Sequence, residues 1–295
     1  MKKTLITGAT GNLGQLVVAA LKQQTAAEDI VVLVRDAEQQ IARQYKNEGI
    51  ELRVGSYDDP ESLDQAMKGI QQIYLISGND LEARLSQHIN VIKAAQKNHI
   101  EQLLYSSSVR KTESSQAPLD PVISGHARTE KAIIDSGITY TILRHNLYSD
   151  IIPLFIGDKE QLLQTRAIYL PTENGKVAFV PREDFAEAEA NILIAPEKHA
   201  NKIYEFNGSQ LTDFNQISEI ISGIVKEKIN YVSPEVKEFE AKMKEAGLPE
   251  AVISLLSMFS QGIANGEFNF DQTDLEGILG RKTTSIESYL TRVYA

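Results

Sequence analysis

Over the first half of the chain, short apolar runs alternate with stretches whose apolar residues recur every three or four positions. The runs at residues 4–7, 30–34, 50–54, 72–76, 102–105 and 139–143 predict six strands, and the stretches at 14–23, 36–49, 60–68, 81–98 and 124–136 predict helices between them. The run from Ile30 to Val34 is apolar at every position, as a strand covered on both faces requires. In the helix over 81–98, Leu81, Leu85, Ile89 and Ile92 fall on one face. Asp59 before Pro60 marks a helix start, and Asp36 with Gln39 three positions on makes a capping box for the second helix. Strand and helix in alternation predict an α/β fold with a doubly wound parallel sheet.

Past residue 150 the rhythm breaks. Residues 151–175 mix proline, glycine and scattered apolar positions and predict an irregular wall or lid. Residues 176–180 and 201–207 read as strands around a helix over 182–195, and 212–228, 233–246, 249–263 and 285–293 read as helices. No repeat or low-complexity linker intervenes. The expected division is residues 1–150 as the sheet domain and 151–295 as a smaller, mostly helical lobe, with some segments returning to the sheet.

Composition narrows the function. Of 295 residues, 42% are hydrophobic and 24% charged, ordinary for a globular protein. The formal net charge of −10 argues against a nucleic-acid surface. With no cysteine, disulfides, thiolate catalysis and cysteine-bound metals are excluded. No apolar run approaches the roughly 18 residues of a membrane span. Met1-Lys2-Lys3 runs straight into a strand pattern, so no signal peptide is read and the cytoplasm is the expected compartment. Asn207-Gly208-Ser209 fits a glycosylation sequon and reads as a turn.

The candidate chemistry begins at Thr7-Gly8-Ala9-Thr10-Gly11-Asn12-Leu13-Gly14, which follows the first strand and opens the first helix. A helix start carries unpaired N–H groups and partial positive charge, which suit a dinucleotide pyrophosphate. Gly8 lets the chain turn, Gly11 lets phosphate oxygens approach the backbone, and Gly14 lets the helix pack closely on the sheet. Thr10 and Asn12 offer side-chain hydrogen bonds. About 20 residues on, the second strand ends Val34-Arg35-Asp36, where an acidic residue holds ribose hydroxyls and an arginine holds a 2′-phosphate. Asp36 already has a capping duty and Arg35 has none, so NADPH is favoured, with NADH the alternative.

Tyr105-Ser106-Ser107-Ser108 ends the fifth strand and Lys131 lies on the helix after it, a layout similar to that of short-chain dehydrogenases. That family's proton-donating tyrosine stands four before its lysine. Here the place is Ala127, and none of the eleven tyrosines has a lysine four positions later. Reduction of a simple ketone makes a strongly basic alkoxide and benefits from a positioned acid. Reduction of a quinone gives an anion whose conjugate acid lies near that of tyrosine, about 10, and water can protonate it. A quinone-like or dye-like small molecule is therefore the expected acceptor, reduced through proximity and orientation.

The chain resembles the atypical short-chain dehydrogenases of the NmrA-like group, in particular its quinone-reducing and dye-reducing members. The resemblance covers nearly the whole length. It rests on TGATGNLG, LVRD at 33–36, YLISG at 74–78, GHARTEK at 125–131, YTILRHNLYSD at 140–150 and the tail DLEGILGRKTT. It implies a Rossmann-like domain binding NADPH, with a smaller C-terminal lobe closing a cleft. By position, residues 8–14, Arg35, Ser77, Gly78 and the segment from His145 to Tyr148 would line the cofactor, with Ser106 at the end of strand five beside them. The family has asparagine directly after the strand-six arginine; here His145 or Asn146 takes its place. After strand three the family's Gly-Asp is Gly55-Ser56. His126 and Lys131 match the pattern H-x-x-x-E-K. For His126 the readings are a cleft residue or a helix-start histidine facing solvent, and for Lys131 a ribose contact or a surface lysine. Tyr148 is either a pocket residue or a buried aromatic. His88, His99 and His199 lack metal-ligand spacing, so no metal is assigned, and nothing requires a flavin. The expected function is NADPH-dependent reduction of a small molecule, with no nucleic-acid or membrane partner and with a homodimer left open. The alternative is a redox sensor that binds NAD(P) without turnover.

Overall fold

The computed structural model describes residues 2–295. The first half alternates as β1 (Thr4–Ile6), α1 (Asn12–Lys22), β2 (Ile30–Val34), α2 (Gln40–Asn47), β3 (Glu51–Val54), α3 (Pro60–Ala66), β4 (Gln72–Leu75), α4 (Arg84–Lys97), β5 (Gln102–Ser108), α5 (Asp120–Asp135) and β6 (Thr139–His145). The remainder comprises α6 (Ile152–Ile156), α7 (Lys159–Thr165), β7 (Ala167–Tyr169), α8 (Arg182–Ile194), β8 (Lys202–Phe206), α9 (Phe214–Val225), β9 (Asn230–Val232), α10 (Val236–Glu245), α11 (Glu250–Ala264), α12 (Leu275–Leu279) and α13 (Ile286–Tyr294).

Seven strands form one parallel sheet in the order β3-β2-β1-β4-β5-β6-β8. Strand order reverses between β1 and β4, and in such sheets ligands bind outside the carboxyl ends at that point. One face packs against α1, α2, α8 and α12 through Val17, Tyr45, Phe185 and Leu275. The other packs against α3, α4 and α5 through Leu63, Val91 and Ile133. The sheet is thus doubly wound and Rossmann-like, and α8, β8 and α12 join it from beyond residue 150. A third cluster gathers Ile152, Phe214, Phe239, Leu256 and Tyr294 with Leu119 just before α5 and Ile123 in its first turn, and β7 pairs with β9 in a separate two-stranded sheet.

Several boundaries differ from the pattern, each for a local reason. The Asp36 carboxylate accepts from the Glu38 N–H at 2.8 Å, turning the chain before α2, so the capping box with Gln39 does not form and the helix starts at Gln40. Residues 176–180 are not a sheet strand. Their backbone makes single bridges, Val177 to Thr212 and Val180 to Tyr148, and further bonds to Phe268 and Gly208. The segment 151–175 holds α6, α7 and β7 rather than irregular chain; α7 begins at a capping box between Asp158 and Gln161.

Candidate functional site

The glycine-rich turn is fixed to its neighbours before any ligand arrives. Thr7 follows β1, with its N–H and hydroxyl both donating to the Tyr74 carbonyl at 3.0 Å, while its Oγ1 accepts from the Ile76 N–H at 3.1 Å. The Tyr57 hydroxyl bonds to the same Oγ1 and to the Ile76 carbonyl, and the Tyr45 hydroxyl donates to the Ala9 carbonyl at 2.8 Å. Gly8 has φ +62°, a left-handed conformation that favours glycine. A Cβ on Gly14 would lie 2.3 Å from the Gly8 carbonyl oxygen and 2.7 Å from Ala9 Cα. The close approach that Gly14 permits is thus of helix to loop, rather than of helix to sheet.

Gly11 caps α1 without any side-chain hydrogen bond, and its N–H closes onto the Gly8 carbonyl at 2.9 Å. No described residue accepts from the N–H groups of Asn12, Leu13 or Gly14. Three free donors at the positive end of an eleven-residue helix fit a pyrophosphate. The Thr10 and Asn12 side chains make no hydrogen bond among the described residues and stand beside those donors. Arg35 follows β2 directly, exposed and without an ion pair among the described residues, whereas Asp36 is spent on its turn.

The turn after β4 is held from both sides. The Ser77 N–H donates to Ser106 Oγ at 2.9 Å, and Arg84 Nε donates to the Gly78 carbonyl at 2.9 Å. The Gly78 N–H donates to His88 Nε2 at 3.2 Å, so this imidazole is neutral with its proton on Nδ1, directed at Thr129 Oγ1 at 3.0 Å. Burial, and then the charge of Arg84, lowers His88 to about 3. His126 is buried in the middle of α5, with Nδ1 2.7 Å from the Tyr105 hydroxyl. It does not face solvent. Burial and Arg84 hold it well below its ordinary value, and burial pushes Tyr105 up, so both partners are neutral. Lys131 points the other way: it is 76% exposed and paired with Asp135 at 2.7 Å, a surface lysine outside this network.

Across the sheet, on the α8 face, lie His145 and Tyr148. The two meet at 3.0 Å between Nδ1 and hydroxyl, and the His145 ring stacks on Phe185 at 4.4 Å. Of the two residues that could replace the family asparagine, Asn146 has its amide fully committed. Its Nδ2 donates to Asn207 Oδ1 at 2.7 Å and to the Phe268 carbonyl at 3.1 Å, and its Oδ1 accepts from the Leu147 N–H at 2.7 Å. Residues 145 and 146 therefore divide between a polar cluster in the core and a structural clamp.

The buried acids Glu130, Asp184, Glu189 and Glu267 were not singled out from the sequence. Glu130, inside GHARTEK, binds Arg110, Arg144 and Ser107, and Arg144 also reaches Glu205 at 2.9 Å. Burial pushes its carboxyl up, but these hydrogen bonds outweigh it and hold the group at about 2. Glu189 lies on α8 beside His145; its signal was a charge four positions after Phe185 on an apolar helix face. The tail motif is accounted for by docking: Arg281 and Thr284 bind the buried Asp184 of α8. Among the described residues no cluster of acidic or histidine side chains could hold a metal ion, and no helix is long and apolar enough to cross a membrane.

The NmrA-like family profile matches residues 1–290. Quinone oxidoreductase 2 of Escherichia coli is 29% identical over 289 residues, with 98% of each chain covered. The crystal structure of that enzyme, described as NADPH-dependent and complexed with NADPH, superposes with a TM-score of 0.90 over 99% of this chain and 100% of its own, at 29% identity. Citrobacter triphenylmethane reductase complexed with NADP(H) gives a TM-score of 0.88 at 30% identity over 99% of both chains.

Proposed function

The chain belongs to the NmrA-like family, and from that premise we propose that it is a reductase passing hydride from NADPH to a quinone-like or dye-like small molecule. The observation that carries the reading is the start of α1, where three N–H donors remain free above a turn that tolerates no side chain at Gly14. Likeness over the whole chain to a quinone oxidoreductase and a triphenylmethane reductase supports the acceptor class.

In this proposal Gly8, Thr10, Gly11, Asn12, Leu13 and Gly14 hold the pyrophosphate, and Arg35 takes the 2′-phosphate, which is the reason for preferring NADPH to NADH. Ser77 and Gly78, fixed by Ser106, His88 and Arg84, border the nicotinamide half from β4, and His145 and Tyr148 border it from β6. Asn146 supports this wall through its clamp. The bound nicotinamide supplies the hydride. His126 keeps the strand-five end in place through Tyr105, whose paired neutral groups leave no buried charge to compete with an anionic product. Lys131, turned to solvent, takes no part. With no tyrosine–lysine acid, the acceptor must yield a weakly basic anion, as a quinone does, or a neutral product, as a cationic dye does, which selects both over ketones.

The test is steady-state oxidation of NADPH by the purified protein with a panel of quinones and cationic dyes. Turnover with at least one class is expected. Tight cofactor binding without consumption above background would sink the reductase reading and leave the sensor.

A further inference from the structure

Four buried polar atoms on the α8 face of the sheet have no hydrogen-bond partner among the described residues: the Tyr74 hydroxyl, His145 Nε2 and both oxygens of Glu189. They interrupt an apolar cluster made by Leu13, Leu143, Val180 and Phe185. Glu189 is fully buried, and its Oε1 lies 2.9 Å from His145 Nε2, within ion-pair reach but off the line of a hydrogen bond. The other imidazole nitrogen meets the Tyr148 hydroxyl at 3.0 Å. Tyr148 is half-buried beyond the carboxyl end of β6, with the Arg182 guanidinium 4.4 Å above its ring. The three side chains form a path from the core to the end of the sheet where the glycine turn lies.

A carboxylate sealed among apolar side chains, with only the Tyr74 hydroxyl and the His145 ring beside it, is costly, so a proton belongs beside it. We propose that Glu189 and His145 together hold one transferable proton, which Tyr148 delivers to the reduced acceptor in place of the missing tyrosine–lysine pair. Hydride from the reduced nicotinamide turns a quinone into a hydroquinone monoanion, and the nicotinamide is oxidised. The Tyr148 O–H bond breaks as its proton joins the anionic oxygen. In the same step the proton on His145 Nδ1 moves to the Tyr148 oxygen, so no phenolate is left, and the imidazole becomes neutral with its remaining proton on Nε2, facing the Glu189 carboxylate. Solvent restores the proton that was used. Tyr148 is the group that meets the acceptor, and Glu189 is a positioning residue acting through His145. The titratable and charged groups around the imidazole are Glu189 and Arg182 of α8, Tyr148 and Asp150 beyond β6, Tyr74 on β4 and His126 on α5.

The inference rests on the reductase reading, and the choice of acceptors separates the two. A quinone needs a hydride and a proton, whereas a triphenylmethyl cation needs the hydride alone. Glu189→Gln and His145→Asn are expected to lower the ratio of quinone to dye kcat about tenfold. That is less than the hundredfold typical of general acids, because a hydroquinone anion is a weak base. Nitrogen-15 spectra of the cofactor-free wild-type protein at neutral pH are expected to show His145 protonated on both nitrogens, and Glu189→Gln to shift those resonances. A ratio unchanged in both variants, or a wild-type His145 carrying only one ring proton, would overturn the proton path while leaving the reductase intact. If the wild-type protein reduced neither acceptor, the reductase reading and the path would fall together.

Discussion

Glu130 grips Arg110 through both carboxylate oxygens, at 2.8 and 2.7 Å, with both side chains 6% exposed or less. The same two oxygens hold Arg144 at 3.1 and 2.7 Å, so one acid joins α5, β6 and the segment after β5. Removing one partner from such a buried network strands the others. Glu130→Gln is therefore expected to destabilise the protein by about 3–5 kcal/mol. Guanidinium unfolding measures this, and a loss under about 1 kcal/mol would show that the arginines find water instead.

The glycine turn makes a graded prediction. An added Cβ meets backbone at 2.3 Å at Gly14 but only one oxygen, at 3.2 Å, at Gly11. Gly14→Ala must displace Gly8 and Ala9, with an expected cost of about 1–3 kcal/mol and a weakening of NADPH binding of about tenfold or more. Gly11→Ala leaves the fold intact and weakens binding through crowding of the phosphate. Calorimetric titration decides. Equal, undiminished affinity in both variants would remove the phosphate from this turn.

The turn was legible because both constraints on it are local: a positive φ at Gly8 and a missing Cβ at Gly14 leave their mark as glycine. The sheet was legible too, since a strand such as Ile30–Val34 buried on both faces must be apolar throughout. Segments whose partners are distant in sequence were not. Residues 177–180 are an apolar run like that of a buried strand, yet their backbone bonds are divided among residues 147–149, 208–212 and 268, and the three-residue strands β7 and β9 are too short to show a period. His126 could not be placed from spacing alone, because the true start of α5 at Asp120 sets which face it occupies. Glu130 carries no signal of burial in the sequence, because Arg110 and Arg144, which hold it, lie 20 and 14 residues away.

Arg35, exposed just after β2 and without an ion pair among the described residues, is expected to read the 2′-phosphate. Arg35→Ala then weakens NADPH about tenfold or more through loss of a charge-assisted contact and changes NADH little. Dissociation constants for both cofactors measure the difference. Equal loss for both would make Arg35 an ordinary surface charge.

Acid should unfold this protein through its histidines before its carboxylates. His88 accepts the Gly78 N–H on Nε2, and a proton there would expel that bond from the turn after β4. Its folded value of about 3 lies below the ordinary 6.5, and His126 is lowered in the same direction. Between these limits the unfolded chain binds more protons than the folded one, so stability rises with pH. The contribution is complete above pH 6.5 and lost progressively below it, on the order of 5 kcal/mol for His88 by linkage. For Glu130 the folded value of about 2 against 4.5 places its loss lower, between those two values, and makes it smaller, about 3 kcal/mol. The urea midpoint is therefore expected to be flat above pH 7 and to fall steeply from about pH 6 downward. His88→Gln, which cannot take up that proton, should flatten the fall even though it starts from a lower midpoint. A wild-type midpoint unchanged between neutral pH and pH 5 would mean that the turn opens to hydrate the imidazolium, and that the bond to Gly78 does not hold His88 neutral.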